Sequence, residues 1–282
     1  MAEHSYLRVA HGGRWWKLLL ELVLAPVWWV IGAGVVGIAV LSATGAKKLD
    51  DLDVVARLVV MHLSIAMMTP AALCAALVIG RRPGFLLSLA GRLRWRWLGR
   101  CVGFAFAIQL AFIGFGVLVE LIGSGSIDSL SHGGPRLWQV VAVTLLLVPF
   151  QASGEEVFNR GTLQQIIGGW GAPAWVAIGV STAAFVAMHG MPNVGTIAIA
   201  AMGISYAWLT LETGGLEAAI AGHTMNNIVA FILAAAAHGT KALDPQELNE
   251  RVGWASVVIQ VVMIALYTVL VIRAWRRSTQ AG

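Results

Sequence analysis

Apolar residues run through this chain in stretches of about 20, long enough to cross roughly 30 Å of hydrocarbon at 1.5 Å per residue, with short polar breaks between them. Eight such stretches are predicted, at about residues 15–42, 54–80, 100–123, 137–158, 173–190, 194–211, 216–237 and 252–273. The fold class this implies is all-α: a polytopic membrane protein with about eight transmembrane helices. The first stretch is expected to stay as an anchor, because it is too long for a signal peptide and follows a charged lead of Arg8, Arg14 and Lys17 without a small-residue cleavage site. The polar breaks near 43–53, 81–100, 124–136 and 238–251 are each too short for a soluble domain.

Composition agrees with lipid as the main solvent. Of 282 residues, 58% are hydrophobic and 12% charged, against roughly 25% charged in an ordinary soluble domain. Charge sets the expected orientation. Arg81, Arg82, Arg92, Arg94, Arg96 and Arg100 crowd one loop, and Arg8, Arg14, Lys17, Arg273, Arg276 and Arg277 fall on its side of the membrane. The other side receives Lys47, Lys48, Arg57, Arg136, Lys241 and Arg251, so the positive-inside rule places both termini in the cytoplasm. A multi-pass protein of a bacterial cytoplasmic membrane is expected. The pI of about 9.7 does not point to nucleic acid, because Arg92, Arg94 and Arg96 alternate with Trp95 and Trp97, a pattern of anionic lipid headgroups and an aromatic belt. Cys74 and Cys101 have neither metal nor redox spacing and read as packing residues.

Ionisable groups inside spans cost roughly 2.5–3.5 kcal/mol each on insertion scales, so each needs a partner or a purpose. Glu21 and Arg57 lie near span ends, where they can snorkel, and His62 and Glu120 read as single polar groups satisfied by a neighbouring helix. The run Gln151-Ala-Ser-Gly-Glu155-Glu156-Val-Phe-Asn159-Arg160 is different. On a helix Glu156 and Arg160 are four apart and pair, whereas Glu155 points about 100° away, aligns with Asn159 and lacks that partner. Glu155 is therefore the carboxylate suited to proton transfer, and Glu156 the anchor. The fifth span carries Phe185-x-x-x-His189 followed by a Gly190-Met-Pro192 break, and the seventh carries His223-x-x-x-Asn227, each pair on one helix face. Glu155, His189, His223 and Asn227, from three spans, form the kind of inward constellation that helical bundles use for metal or hydrolytic sites.

The ordered set Glu-Glu-x-x-x-Arg, Phe-x-x-x-His and His-x-x-x-Asn resembles the CPBP family of intramembrane proteases, which includes the type II CAAX prenyl endopeptidases and Abi-like, bacteriocin-immunity-type members. The resemblance covers about residues 137–238 as a core; residues 1–136 form a three-span region without a matched motif, and 239–282 a last span with a cytoplasmic tail. It implies that Glu155 and His189 activate an attacking water, that His223 and Asn227 complete the site, and that Glu156, Arg160 and Phe185 support it. The implied activity is endopeptidase cleavage of a membrane-associated or C-terminal, CAAX-like protein substrate.

Peptide hydrolysis in a membrane needs a nucleophilic water and a stabilised oxyanion. His223 and Asn227 could donate to the oxyanion, or Glu155, His189 and His223 could hold a zinc-like divalent ion with an open position for water. Asn is a poor zinc ligand and no His-Glu-x-x-His is present, which favours the metal-free reading, with no cofactor certain. The rival functions are a transporter or proton relay and a catalytically silent immunity or scaffold member of the same fold; polar residues confined to spans four, five and seven suit a local site better than a pore. One conflict is internal to this reading. If span four ends at 158 and span five at 190, Glu155 and His189 lie at opposite depths; a fourth helix running on to about 168, before Gly168-Gly169, removes the conflict.

Overall fold

A computed structural model describes residues 2–10, 14–125, 127, 134, 136–190, 193–243 and 252–280. The described residues are overwhelmingly helical: α1 (Ala2–Leu7), α2 (Trp15–Thr44), α3 (Val54–Ala66), α4 (Met68–Val78), α5 (Gly84–Leu87), α6 (Trp95–Ser124), α7 (Leu137–Glu156), α8 (Gln164–Gly169), α9 (Ala174–His189), α10 (Gly195–Thr213), α11 (Glu217–His238) and α12 (Trp254–Gln280). The only strand-like pairing among them is an isolated bridge between Ser88 and Gly215. The protein is a polytopic all-α membrane protein.

Each of the eight expected stretches is helical, but they are not equivalent. Six helices among the described residues are long and apolar enough to cross a membrane: Trp15–Thr44, Val54–Val78, Trp95–Ser124, Leu137–Gly169, Glu217–His238 and Trp254–Gln280. The fifth expected span, α9, has 16 residues, about 24 Å of helix and short of the hydrocarbon thickness. The sixth, α10, carries Ser205, Tyr206, Thr210, Glu212 and Thr213 and buries much of its length against its neighbours. Lipid-facing helices instead show apolar exteriors, with Val35, Ile38, Phe115 and Ile122 more than half exposed.

The fourth stretch departs most from its expected bounds. After α7 the backbone continues as a π-helical segment, Val157–Leu163, and then as α8, so one continuous helix runs from Leu137 to Gly169. This longer helix is the one that removes the depth conflict. From Glu155 to Gly169 is 14 residues and from Ala174 to His189 is 15, so the two limbs of the hairpin descend about 21 and 22 Å from its turn. Glu155 and His189 therefore return to one level.

The long helix is buried because glycines let its neighbours touch its backbone. A Cβ on Gly154 would lie 2.6 Å from the Ile65 carbonyl oxygen of α3, and one on Gly161 would lie 2.8 Å from that of Leu86. No side chain fits either contact, so at these two points neighbouring backbone lies directly against the helix.

Two buried ion pairs fix the helix ends, and both revise expectations from the sequence. Glu21 does not snorkel: it is fully buried, and both its oxygens accept from Arg81 Nη1, at 2.9 and 2.7 Å, while Arg81 Nη2 donates to Gln165. Arg94, expected to face headgroups, holds the fully buried Glu217 at the start of α11 with Nη2 to Oε2 at 2.6 Å, Nε to Oε1 at 2.9 Å and its backbone N–H to Oε1 at 2.8 Å. Trp97 is buried beside it, whereas Trp95 is 69% exposed and suits the aromatic belt. The loop before α6 thus locks the helix that carries His223.

Removing one partner of such a pair leaves an uncompensated buried charge. Arg94→Ala is expected to destabilise the folded protein by about 3–5 kcal/mol, read as a lower thermal midpoint in detergent micelles. A wild-type midpoint would show that Glu217 does not depend on Arg94.

Candidate active site

The site grows from the buried stretch of the long helix. Pro149 interrupts its hydrogen-bond ladder, and Ser153 Oγ donates back to the Pro149 carbonyl at 2.6 Å. Beyond Glu156 the turn widens to π geometry, a departure that concentrates at functional sites. Glu155 is 6% exposed, and Glu156, Asn159 and Arg160 are fully buried. Helices on several sides make room for these polar side chains to face inward in different directions.

Glu156 is the node. Its Oε1 accepts from Arg160 Nη1 at 3.1 Å, one turn along the chain as the spacing predicts, and meets His223 Nδ1 of α11 at 2.8 Å. Arg160 extends the network: Nη2 donates to the Gly203 carbonyl of α10 at 3.4 Å, and the guanidinium carbon lies 4.2 Å from the centre of the Phe185 ring of α9, a cation–π arrangement. Four helical segments meet on one carboxylate and one guanidinium.

Glu155 is not without a basic partner, contrary to the sequence reading. Its Oε2 lies 3.1 Å from Nε2 of His223, an ionic approach outside hydrogen-bond geometry, since neither atom has a hydrogen-bond partner in the protein. His223 is thus held with one carboxylate at each ring nitrogen. The backbone carbonyl of Glu155 accepts from Asn159 Nδ2 at 2.9 Å, on the face expected.

Phe185 connects the two histidines. Its ring centre is 4.5 Å from that of His189 and 5.6 Å, edge-on, from that of His223. His189 Nδ1 bonds the Phe185 carbonyl at 2.8 Å. Like Asn227, it is part-exposed. Gly190 follows with φ +57, the left-handed conformation that ends a helix; Met191 and Pro192 of the expected break lie outside the described residues.

Asn227, one turn past His223, donates from Nδ2 to Gln151 Oε1 at 3.2 Å, while its Oδ1 accepts from Asn226, itself tied to Gln260 of α12. Gln151 carried no role in the sequence reading, although its position four residues before Glu155 marks the same helix face. Gln164 and Gln165 were also missed; they bond the Ala207 and Phe85 carbonyls and fix the far end of the π segment. The structure therefore gathers Glu155, Glu156, Arg160, Phe185, His189, His223 and Asn227 into one place.

The donors do not converge as a metal site. Among the described residues no group of three or more His, Cys, Asp or Glu side chains is arranged to hold an ion.

Residues 136–229 match the family model of type II CAAX prenyl endopeptidase Rce1-like proteins. This match, over about a third of the chain, supports membership of the CPBP family. Every residue of the cluster lies within the CPBP match, whereas α2, α3, α4 and α12 lie outside it. No curated protein and no solved structure matches the chain.

Glu156 is expected to be structural first. Glu156→Gln leaves the guanidinium of Arg160 buried without its anion, a loss of about 3–5 kcal/mol, and should cut the yield of monodisperse protein on size exclusion. Full yield and an unchanged melting temperature would refute the anchoring role.

Proposed function

We propose that this protein is an intramembrane endopeptidase that cleaves a membrane-associated or C-terminal, CAAX-like protein substrate with a water activated by Glu155. The CPBP match supports a peptidase. The observation that carries the mechanism is the imidazole of His223 held between two carboxylates.

The two acids divide the work through that ring. Glu156 fixes Nδ1 and so aims Nε2 at Glu155, the role a buried carboxylate plays in orienting a catalytic histidine. Glu155 takes a proton from a water lying between it and His189, and the hydroxide attacks the peptide carbonyl. Asn227, with the second hydrogen of Nδ2, donates to the oxyanion, while His223, aimed by Glu156, keeps the Glu155 carboxylate in place. As the tetrahedral intermediate collapses, the C–N bond breaks and Glu155 returns its proton to the leaving nitrogen. His189, at the exposed margin, is on the side from which a substrate approaches.

The setting of this proposal is a bacterial cytoplasmic membrane, and the Lys and Arg distribution supports both termini lying inside. The substrate is a protein segment; no feature of the chain reads a prenyl group.

Glu155→Ala should abolish cleavage while leaving the fold intact, because Glu156 still holds Arg160 and His223. The test compares new protein termini in membranes of a deletion strain carrying wild-type protein with those of the same strain carrying Glu155→Ala. Peptides found only with wild-type protein identify the substrate; identical sets of termini, at equal expression, would overturn the assignment.

A further inference from the structure

Outside the CPBP match, where α2 begins and α4 ends, the structure holds a cavity of about 270 Å³. Three cationic side chains line it, Arg14, Lys17 and Arg81, against apolar walls that include Leu18 and Ile79, and no carboxylate is among its described lining residues. Arg14 is the N-cap of α2, and Arg81 follows the end of α4, so two separate stretches of chain bring these charges together. They meet on the side that the Lys and Arg distribution assigns to the cytoplasm.

The charges there are not balanced. Arg81 is committed within the protein, to Glu21 and Gln165. Lys17 Nζ donates to the Ile79 carbonyl near the end of α4, at 3.1 Å, which occupies one of its three hydrogens and leaves its charge without an anion. Arg14 is exposed, caps nothing with its side chain, and has no hydrogen-bond or ion-pair partner among the described residues. Glu21 cancels one of the three positive charges, and two remain. Like charges gathered in this way repel until an anion joins them.

The setting of the cavity says which anion reaches it. Only Leu18, Glu21 and Ala25 of the 30 residues of α2 are buried, so lipid lies along most of this helix. Trp15 and Trp16 at its start are exposed, as side chains at headgroup level are. A basic pocket between membrane helices on the cytoplasmic side suits a lipid phosphate, and this one is far larger than the roughly 10–15 Å³ that a single water needs.

We propose that this cavity binds the phosphate of an anionic membrane lipid, with Arg14 and Lys17 as its ligands and Arg81 adding positive field. A headgroup held there ties the start of α2 to the end of α4. Through the contact of Arg81 with Gln165 it also bears on the cytoplasmic end of the long helix.

The test uses the purified, delipidated full-length protein in a neutral detergent, with the thermal midpoint as the readout of binding. Dioleoyl phosphatidylglycerol should raise the midpoint in a saturable way. Dioleoyl phosphatidylcholine, whose choline cancels the phosphate charge, and glycerol phosphate, which has no acyl chains, should not. Arg14→Gln breaks no contact within the protein, so it should leave the lipid-free midpoint unchanged and raise the half-saturating lipid concentration about ten-fold, the effect of one lost hydrogen bond to a charged group. Adding Lys17→Gln should remove the response. Arg96→Gln combined with Arg100→Gln takes the same charge from the same side of the membrane and should respond as wild type does. Equal losses in the two double variants would reduce the effect to general surface charge and overturn the site, as would a wild-type response in Arg14→Gln or no response in the wild-type protein. A midpoint raised as far by glycerol phosphate would overturn the lipid as the source of the phosphate.

Discussion

The carboxylate of Glu156 is the constraint on which the site depends. A bare anion and a bare guanidinium at this depth would each be too costly to insert, and their pairing removes most of that cost only because further contacts complete it. The same oxygen that meets Arg160 also meets His223, and Arg160 in turn reaches α10 and the ring of Phe185. Helix packing and the aim of the imidazole are thus one arrangement, and neither can be altered without the other.

That arrangement leaves the adjacent glutamate free to act. Consecutive residues on a helix diverge by about 100°, and the widening to π geometry lets both directions stay inside the protein. Glu156 turns toward the load of the fold, and Glu155 toward the space between the histidines. The peripheral ion pairs, Glu21 with Arg81 and Glu217 with Arg94, do for the helix ends what Glu156 does for the centre. Lipid contributes little to holding helices together, so buried polar contacts and glycine approaches carry that task here.

The sequence disclosed the parts governed by local spacing. Glu156 with Arg160, Asn159 with the Glu155 backbone, and Phe185 with His189 are all four apart, and each contact is present. Hydropathy likewise located the helices, and the depth conflict between Glu155 and His189 pointed to a fourth helix that runs on to about residue 168. What stayed hidden depended on partners distant in the chain. Glu21 was assigned to the interface because nothing local reveals Arg81, and Arg94 resembled a headgroup ligand because Glu217 lies more than a hundred residues away. The bond from Asn227 to Gln151 is a fact of assembly, and so is the burial of His62 without the hydrogen-bond partner expected of a neighbouring helix among the described residues. The π segment was illegible for another reason: no residue type announces it.

The hairpin turn between Gly169 and Ala174 has a consequence for how this site can vary. Because Glu155 and His189 are each brought to their level by counting residues from that turn, the two limbs work as a pair of measured rods. Adding one residue to either limb would displace its site residue by about 1.5 Å and swing it by about 100°, whereas adding one to the turn would change neither. The residue count of each limb, and not that of the turn, therefore sets the level at which Glu155 and His189 meet.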